Sequence, residues 1–314
     1  MKTTLLTLTH TVLAVAYVSN AFGQAKPLAG TVGEIGTPAR LGEYQFILTN
    51  VTFATRVSHN NDTAIADKGQ KFVVLNFTVQ NPGKQILRLG AGSVKFTVVS
   101  ADNENHENAD ILLNPETMAA LDIEVKPAQK VPVLAYVAVP GADPIPKLIV
   151  SSGEASVLRF DLKGKVKKFT GMFAAPDGVK VLDVGNAKIG DKVELGALDF
   201  TVEKIEESST AIGDYDVPEG KKLIVLTVAY SNSTKIARGL DSASYSISMK
   251  DSNDETIEYR EVLLKAIGNT TLNENVKPGE TKRGRLLFLA AKEVVPANVT
   301  FAWGEGRAAR IALK

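Results

Sequence analysis

The chain has 314 residues, 36 of them basic and 35 acidic, with 23% charged, 6% aromatic and no cysteine. Nearly cancelling charge argues against a nucleic-acid partner, which favours a basic excess gathered in a stripe. Without cysteine the chain has no disulfide and no thiol for a lipid anchor. Domains of about 140 residues bury roughly 68% of their unfolded surface and can stand on their own cores without such staples.

In chain order, residues 1–23 read as a signal peptide. Lys2 gives the positive start, Leu5 to Val18 is mostly apolar but short for a bilayer, and Ala21-Phe22-Gly23 supplies small residues, so cleavage falls near Gly23/Gln24. His10 and Tyr17 make the run less apolar than most, which leaves an uncleaved anchor as the alternative. No later apolar run is long enough for a membrane helix. The expectation is a secreted or periplasmic protein of a bacterial cell envelope, with no membrane span after cleavage.

The remainder states nearly the same thing twice. Gly69-Gln70-Lys71-Phe72-Val73-Val74-Leu75 returns as Gly220-Lys221-Lys222-Leu223-Ile224-Val225-Leu226, and Val125-Lys126-Pro127 returns as Val276-Lys277-Pro278, both at an offset of 151 residues. That period is too long for a solenoid, whose units run roughly 20–50 residues, and predicts two tandem copies of one domain. Copy one is expected over 27–162, a linker over 163–172 and copy two over 173–314.

Within each copy the apolar residues alternate, as strands require. Val73, Leu75, Phe77 and Val79 share one face, and Ile224, Leu226, Val228 and Tyr230 are their counterparts. Val94, Phe96 and Val98 match Tyr245, Ile247 and Met249. Each copy opens with an extended leader, Thr31 to Leu41 and Val179 to Leu195, expected to form edge strands before Tyr44 to Phe53 and Leu198 to Ile205. Pro115 to Leu121 and Thr256 to Gly268 break the pattern and are expected to be loops crossing between sheets, the first with a single helical turn as alternative. About seven short strands with turns between them, one face buried, predict an all-β protein of two tandem immunoglobulin-like antiparallel β-sandwiches.

The recurrent pattern runs Gly-Lys-Lys, an apolar strand ending in Asn, a polar loop, a strand ending in Asp, then a Lys-Pro-Gly-Glu turn and a strand with a central Phe. It resembles the secreted immunoglobulin-like modules grouped as domain of unknown function 4352, and its layout is similar to that of the mycobacterial immunoprotective extracellular antigens. Copy two carries the motif as Gly220 to Asn232, Asp251, Lys277 to Glu280 and Phe288; copy one departs at Ala128, in place of Gly, and at Tyr136, near the Phe. The resemblance implies an exported immunoglobulin-like sandwich and brings no catalytic residues with it.

The search for chemistry gives little. His59 and His106 lie far apart in polar loops, and zinc or other transition-metal sites want several His or Cys ligands at tight spacing. No Gly-x-Ser-x-Gly elbow occurs. Glu203, Glu206, Glu207, Asp214, Asp216 and Glu219 cluster before the first core strand of copy two, but their spacing matches no known calcium loop. Gly304-Glu305-Gly306 is a tight turn without the helix that would hold a phosphate. Beside it stands Trp303, the one tryptophan, either a partner contact or a half-buried plug of the sandwich end. Arg307 and Arg310 join it as candidate partner contacts, with Lys282, Arg283 and Arg285 if their strands neighbour one another. Lys163, Lys165, Lys167 and Lys168 form a basic run read as a solvated linker, with attraction to an anionic envelope polymer as the other reading. Asn-x-Thr sequons stand at Asn50, Asn61, Asn76, Asn232, Asn269 and Asn298.

No cofactor or metal is expected. The expectation is a non-enzymatic exported binding or scaffold protein whose partner is a protein or glycan of the envelope. The alternatives are a secreted proteinase inhibitor presenting the loop Ser208 to Val217, and a carbohydrate-binding accessory module using Trp303.

Overall fold

Strand Gln70–Gln80 turns Val73, Leu75, Phe77 and Val79 inward, each at most 2% exposed, because side chains of a strand alternate between faces. Burying a large apolar side chain of this kind contributes about 1.5–3 kcal/mol. The same rule organises the rest of the molecule in this computed structural model, which describes residues 30–313 except 60–61, 108–110, 154–155 and 305. The predicted signal peptide, 1–23, lies outside the described residues. Among the described residues there is no helix.

The fold is all-β. In the first sandwich one sheet runs Lys130–Pro140, Gln70–Gln80, Tyr44–Ala54, Ala39–Leu41, and the other runs Thr31–Gly33, Ser156–Asp161, Lys147–Ser152, Lys95–Val99, Asn105–Glu107. Their inner faces enclose a core from Leu41 to Leu162, centred on Phe46, Phe77, Phe96 and Phe160. The second sandwich has its own core from Phe173 to Leu313, centred on Phe200, Tyr230, Tyr245 and Phe301. Each leader splits between sheets. Its first part pairs in parallel with the sandwich's last strand, Thr31–Gly33 on Leu158–Phe160 and Val184–Lys188 on Ala308–Ala312. Its second part pairs antiparallel with the next strand. The parallel edges depart from the purely antiparallel expectation, because the leader runs beside the last strand in the same direction.

The offset of 151 residues recurs in hydrogen bonds. The Asn81 amide donates to the carbonyls of Gln85 (2.6 Å) and Val125 (2.8 Å), and the Asn232 amide to those of Ile236 (2.6 Å) and Val276 (2.7 Å). Both asparagines are buried, and each ties the end of a central strand to the loop that follows it and to the last residue of a later short strand, Ile123–Val125 or Glu274–Val276, which a turn then follows. In those turns Ala128 N–H donates to Asn81 O and Gly279 N–H to Asn232 O, both at 2.8 Å.

One of the two expected loops came out differently. Thr256–Lys265 is a strand, and it changes sheets. Its start pairs with Ser246–Asp251, and the rest pairs with Thr281–Ala291, with the register shifting between Tyr259 and Leu263. It thereby joins both layers into one nine-stranded sheet. Leu263 faces the main core while Val262 and Leu264 face an outer cluster with Leu223, Val225 and Leu287, so both faces are buried and the alternation that marks a half-exposed strand is lost. Pro115–Leu121 is a turn segment, held by the Leu113–Leu134 bridge against a second outer cluster of Val57, Ala66, Phe72 and Val74.

The linker is docked. Lys167 N–H donates to Val51 O at 2.9 Å, Phe169 N–H to Gly178 O at 2.8 Å, and the Phe169 ring packs on both cores. Lys163, Lys165, Lys167 and Lys168 point to solvent while Val166 and Phe169 turn in.

Candidate functional site

The side chains with the most unusual surroundings gather where the two sandwiches meet. Arg307 is 1% exposed. Its guanidinium donates to Ala66 O (2.7 Å), to Gln70 O, and to Leu182 O (3.3 Å), so one cation takes up carbonyls of both sandwiches. Burial lowers its pKa, against the pull of Asp183 and Asp67. Lys71 is fully buried; its ammonium donates to Asp143 O (2.7 Å) and Val179 O (2.6 Å) and stands 4.0 Å from the Phe53 ring centre. Burial pushes this lysine down to about 8, against Asp143 and Asp177, which raise it. Asp199, buried in the second sandwich, pairs with Arg56 of the first and with Lys192 at 2.8 Å. Burial raises the Asp199 carboxyl, but the two cations outweigh it and leave it below its ordinary value. Arg238 crosses the other way, donating to Thr63 Oγ1 at 2.6 Å.

The candidate contacts beside Trp303 therefore separate. Arg307 is no outward contact, because the first sandwich covers it and its donors are taken by backbone carbonyls. Arg310 is exposed on strand Ala308–Ala312, opposite Thr300. Trp303 is half-buried, its ring 5.5 Å from that of Tyr245 in a T-shaped contact. It lies flat on Gly196, whose φ is +74° and where a Cβ would stand 2.2 Å from the indole. Lys282, Arg283 and Arg285 do not join it: their strand lies three strands away in the sheet order. There Arg283 pairs with Glu203 at 3.0 Å and Lys282 with Glu274 and Glu280, both at 3.0 Å.

The acidic group of the second sandwich is dispersed in the same way, with Glu206 on Lys204 and Glu207 on Lys222. His59 Nδ1 lies 3.4 Å from the Tyr136 hydroxyl, and His106 stands on the separate strand Asn105–Glu107. Among the described residues no three His, Asp or Glu side chains are grouped to hold a metal ion. The loop Ser208 to Val217 lies down on its sheet, with Ile212, Tyr215 and Val217 packed on the outer cluster.

Around the junction the surface is concave. A cleft of about 500 Å³ is floored by Phe53, Ile145, Leu162, Val166 and Val179 and rimmed by Lys163 and Lys168. A second hollow of about 480 Å³, between Phe53–Arg56 and Phe169–Phe173, is more polar. A third, of about 410 Å³, lies between Ile65–Lys68 and Trp303.

Residues 187–308 match the model of a family described as a domain of unknown function, DUF4352. That stretch lies within the second sandwich. No curated protein matches the chain. Among solved structures, an uncharacterized β-sandwich protein from Clostridium difficile 630 is 12% identical, with a TM-score of 0.35 over 44% of this chain and 98% of the other. The yjhA protein from Bacillus subtilis is 14% identical, with a TM-score of 0.31 over 41% of this chain and 99% of the other. A conserved hypothetical protein from Bacillus anthracis is 15% identical, with a TM-score of 0.28 over 40% and 94%.

The sequence did not point to the junction, yet it held a trace of it. Arg56, Arg238 and Arg307 are arginines without an arginine at the repeat offset, where Glu207, Leu87 and Ser156 stand. A charge unique to one half of a repeat is a candidate for contact between the halves.

Proposed function

We propose that the protein is an exported, non-enzymatic binding module of the cell envelope, made of two copies of one sandwich domain, and that it holds its ligand at the junction between them. The observation that carries this reading is the cleft floored by Phe53, Ile145, Leu162 and Val166: it is concave, largely apolar and walled by hydrogen-bonded backbone. The hydrogen bonds repeated at Asn81 and Asn232 support descent from one domain, and a layout similar to that of the mycobacterial antigens is part of the same proposal. The signal-peptide pattern of residues 1–23 supports secretion. Among the described residues no helix is long and apolar enough to cross a membrane.

The other readings have less support. An inhibitory loop must stand free to enter a protease, whereas Ile212, Tyr215 and Val217 are packed down. A sugar-stacking tryptophan needs an open ring face, and much of the Trp303 ring is taken up by Gly196 and the Tyr245 ring.

The experiment is fractionation of cells expressing the full chain, with whole-cell cross-linking and identification of captured molecules. Recovery outside the cytoplasm with an envelope component attached is the expected result. A cytoplasmic protein, or purified protein that turns over a substrate and stops when a few carboxylates are replaced, overturns the reading.

A further inference from the structure

Resting on that reading, we infer that the cleft takes an anionic amphiphile: a single acyl chain ending in a carboxylate or a phosphate. Three observations meet there. The first is the apolar floor of Phe53, Ile145, Leu162, Val166 and Val179 at the base of an open cleft of about 500 Å³. A floor of that composition leaves an acyl chain better placed than a polar ligand.

The second is the rim. Lys163 and Lys168 are exposed and make no ion pair among the described residues. Two nearby carboxylates are engaged with backbone: Asp161 accepts from Lys163 N–H at 3.1 Å, and Asp177 from Val179 N–H (2.8 Å) and Lys180 N–H (2.9 Å). Two unmatched ammonium groups over an apolar floor complement a ligand with one charged end. Lys165 and Lys167 add to the positive field from the same segment.

The third is a neighbouring trough. Lys163 also lines a trough of about 660 Å³ on the outer face of the first sandwich, with Val32, Ile149, Lys147 and Arg159. Val32 is 77% exposed there, an apolar side chain on a surface edged by Lys147, Arg159, Lys163 and Asp161. Lys163 thus borders two hollows that both offer apolar surface.

The walls are preformed. Leu162 N–H donates to Pro146 O at 2.8 Å, Lys165 N–H to Leu162 O at 2.9 Å and Lys167 N–H to Val51 O at 2.9 Å, which fix the segment carrying the lysines. Little ordering is needed on binding, which favours affinity.

The test displaces a dansylated undecanoic acid from the full chain with dodecanoate, dodecyl phosphate, dodecanol and inorganic polyphosphate. Dodecanoate or dodecyl phosphate is expected to compete, at least about tenfold better than dodecanol at low salt, and the ratio of the two identifies the head group. Affinity should rise with chain length by up to about fourfold per methylene. The paired replacement Lys163→Glu and Lys168→Glu should weaken dodecanoate about tenfold and leave dodecanol unchanged. Val166→Phe, at a half-exposed position, should fill the cleft and reduce binding of both. Amide shifts of Val166 and Val179 on adding dodecanoate to the unsubstituted protein give a readout that needs no variant. The inference is overturned if dodecanol competes equally, if polyphosphate competes as well as dodecanoate, if neither variant changes affinity, or if those amides stay still. Should whole-cell cross-linking capture an envelope component while dodecanoate fails, this inference falls and the binding-module reading stands.

Discussion

Ala128 and Gly279 occupy the same place in two matched turns, and both backbones are left-handed, with φ of +62° and +75°. A Cβ in that conformation costs about 1–2 kcal/mol, partly offset by glycine's greater freedom in the unfolded chain. Ala128→Gly should therefore stabilise by about 0.5–1 kcal/mol, and Gly279→Ala, where a Cβ meets nothing within 4 Å, should destabilise by about the same amount; urea unfolding of the two variants checks both signs. Gly196→Ala is a different case, because its methyl collides with the indole as well as straining the backbone. It should cost about 2–3 kcal/mol and shift Trp303 fluorescence to the red as the ring is pushed towards water. Lys71 carries the pH dependence. Its pKa falls from an ordinary 10.5 to about 8 on folding, so between those values the unfolded chain binds more protons and stability rises with pH. The rise is at most roughly 3 kcal/mol over the whole window. Chemical denaturation between pH 8 and 9.5 should show it, and Lys71→Met should flatten it.

Among elements, the asparagine ties are the clearest shared device. Asn81→Ala or Asn232→Ala leaves two carbonyls without their donor and should cost about 2–3 kcal/mol in its own sandwich. Hydrogen exchange resolved by segment should show the loss confined to the half that was changed. Much at this scale was legible in the sequence. Strands such as Gln70–Gln80 and Lys95–Val99 announce their inner faces through Val73, Leu75, Phe96 and Val98, since a period of two follows from strand geometry alone. Strand Thr256–Lys265 was not legible, because Val262, Leu263 and Leu264 are all buried and a run of apolar residues has no period to read. The outer cluster of the first sandwich escaped for a related reason: it forms only when the hairpin of Arg56–His59 with Asp62–Ile65, between two neighbouring strands, folds over the back of the sheet. Nor could the repeat tell Lys71 from Lys222. They share one register position, yet the first is enclosed by carbonyls at the junction and the second pairs with Glu207. What surrounds Lys71 is set in part across the junction, by the Val179 carbonyl, which local sequence does not encode.

At the scale of the whole molecule the junction decides whether the sandwiches act as one body. Arg307→Ala removes the donors to Ala66, Gln70 and Leu182 while leaving both cores intact. It should cost about 2–4 kcal/mol and separate one calorimetric transition into two. Arg307→Lys should recover part of the loss, since an ammonium offers three donors but no planar fork. A small-angle scattering profile that broadens in the alanine variant would accompany the split, and a single unchanged transition would speak against the latch. The asparagine tie also bears on how the chain can be produced. Asn232 heads the sequon Asn232-Ser233-Thr234, and both amide protons of its 1%-exposed side chain are committed to carbonyls inside the fold. Oligosaccharyltransferase meets a nascent chain before such a side chain is sealed away. In a yeast or mammalian host, a glycan attached there would leave the second sandwich unable to close, so a non-glycosylating host suits this protein.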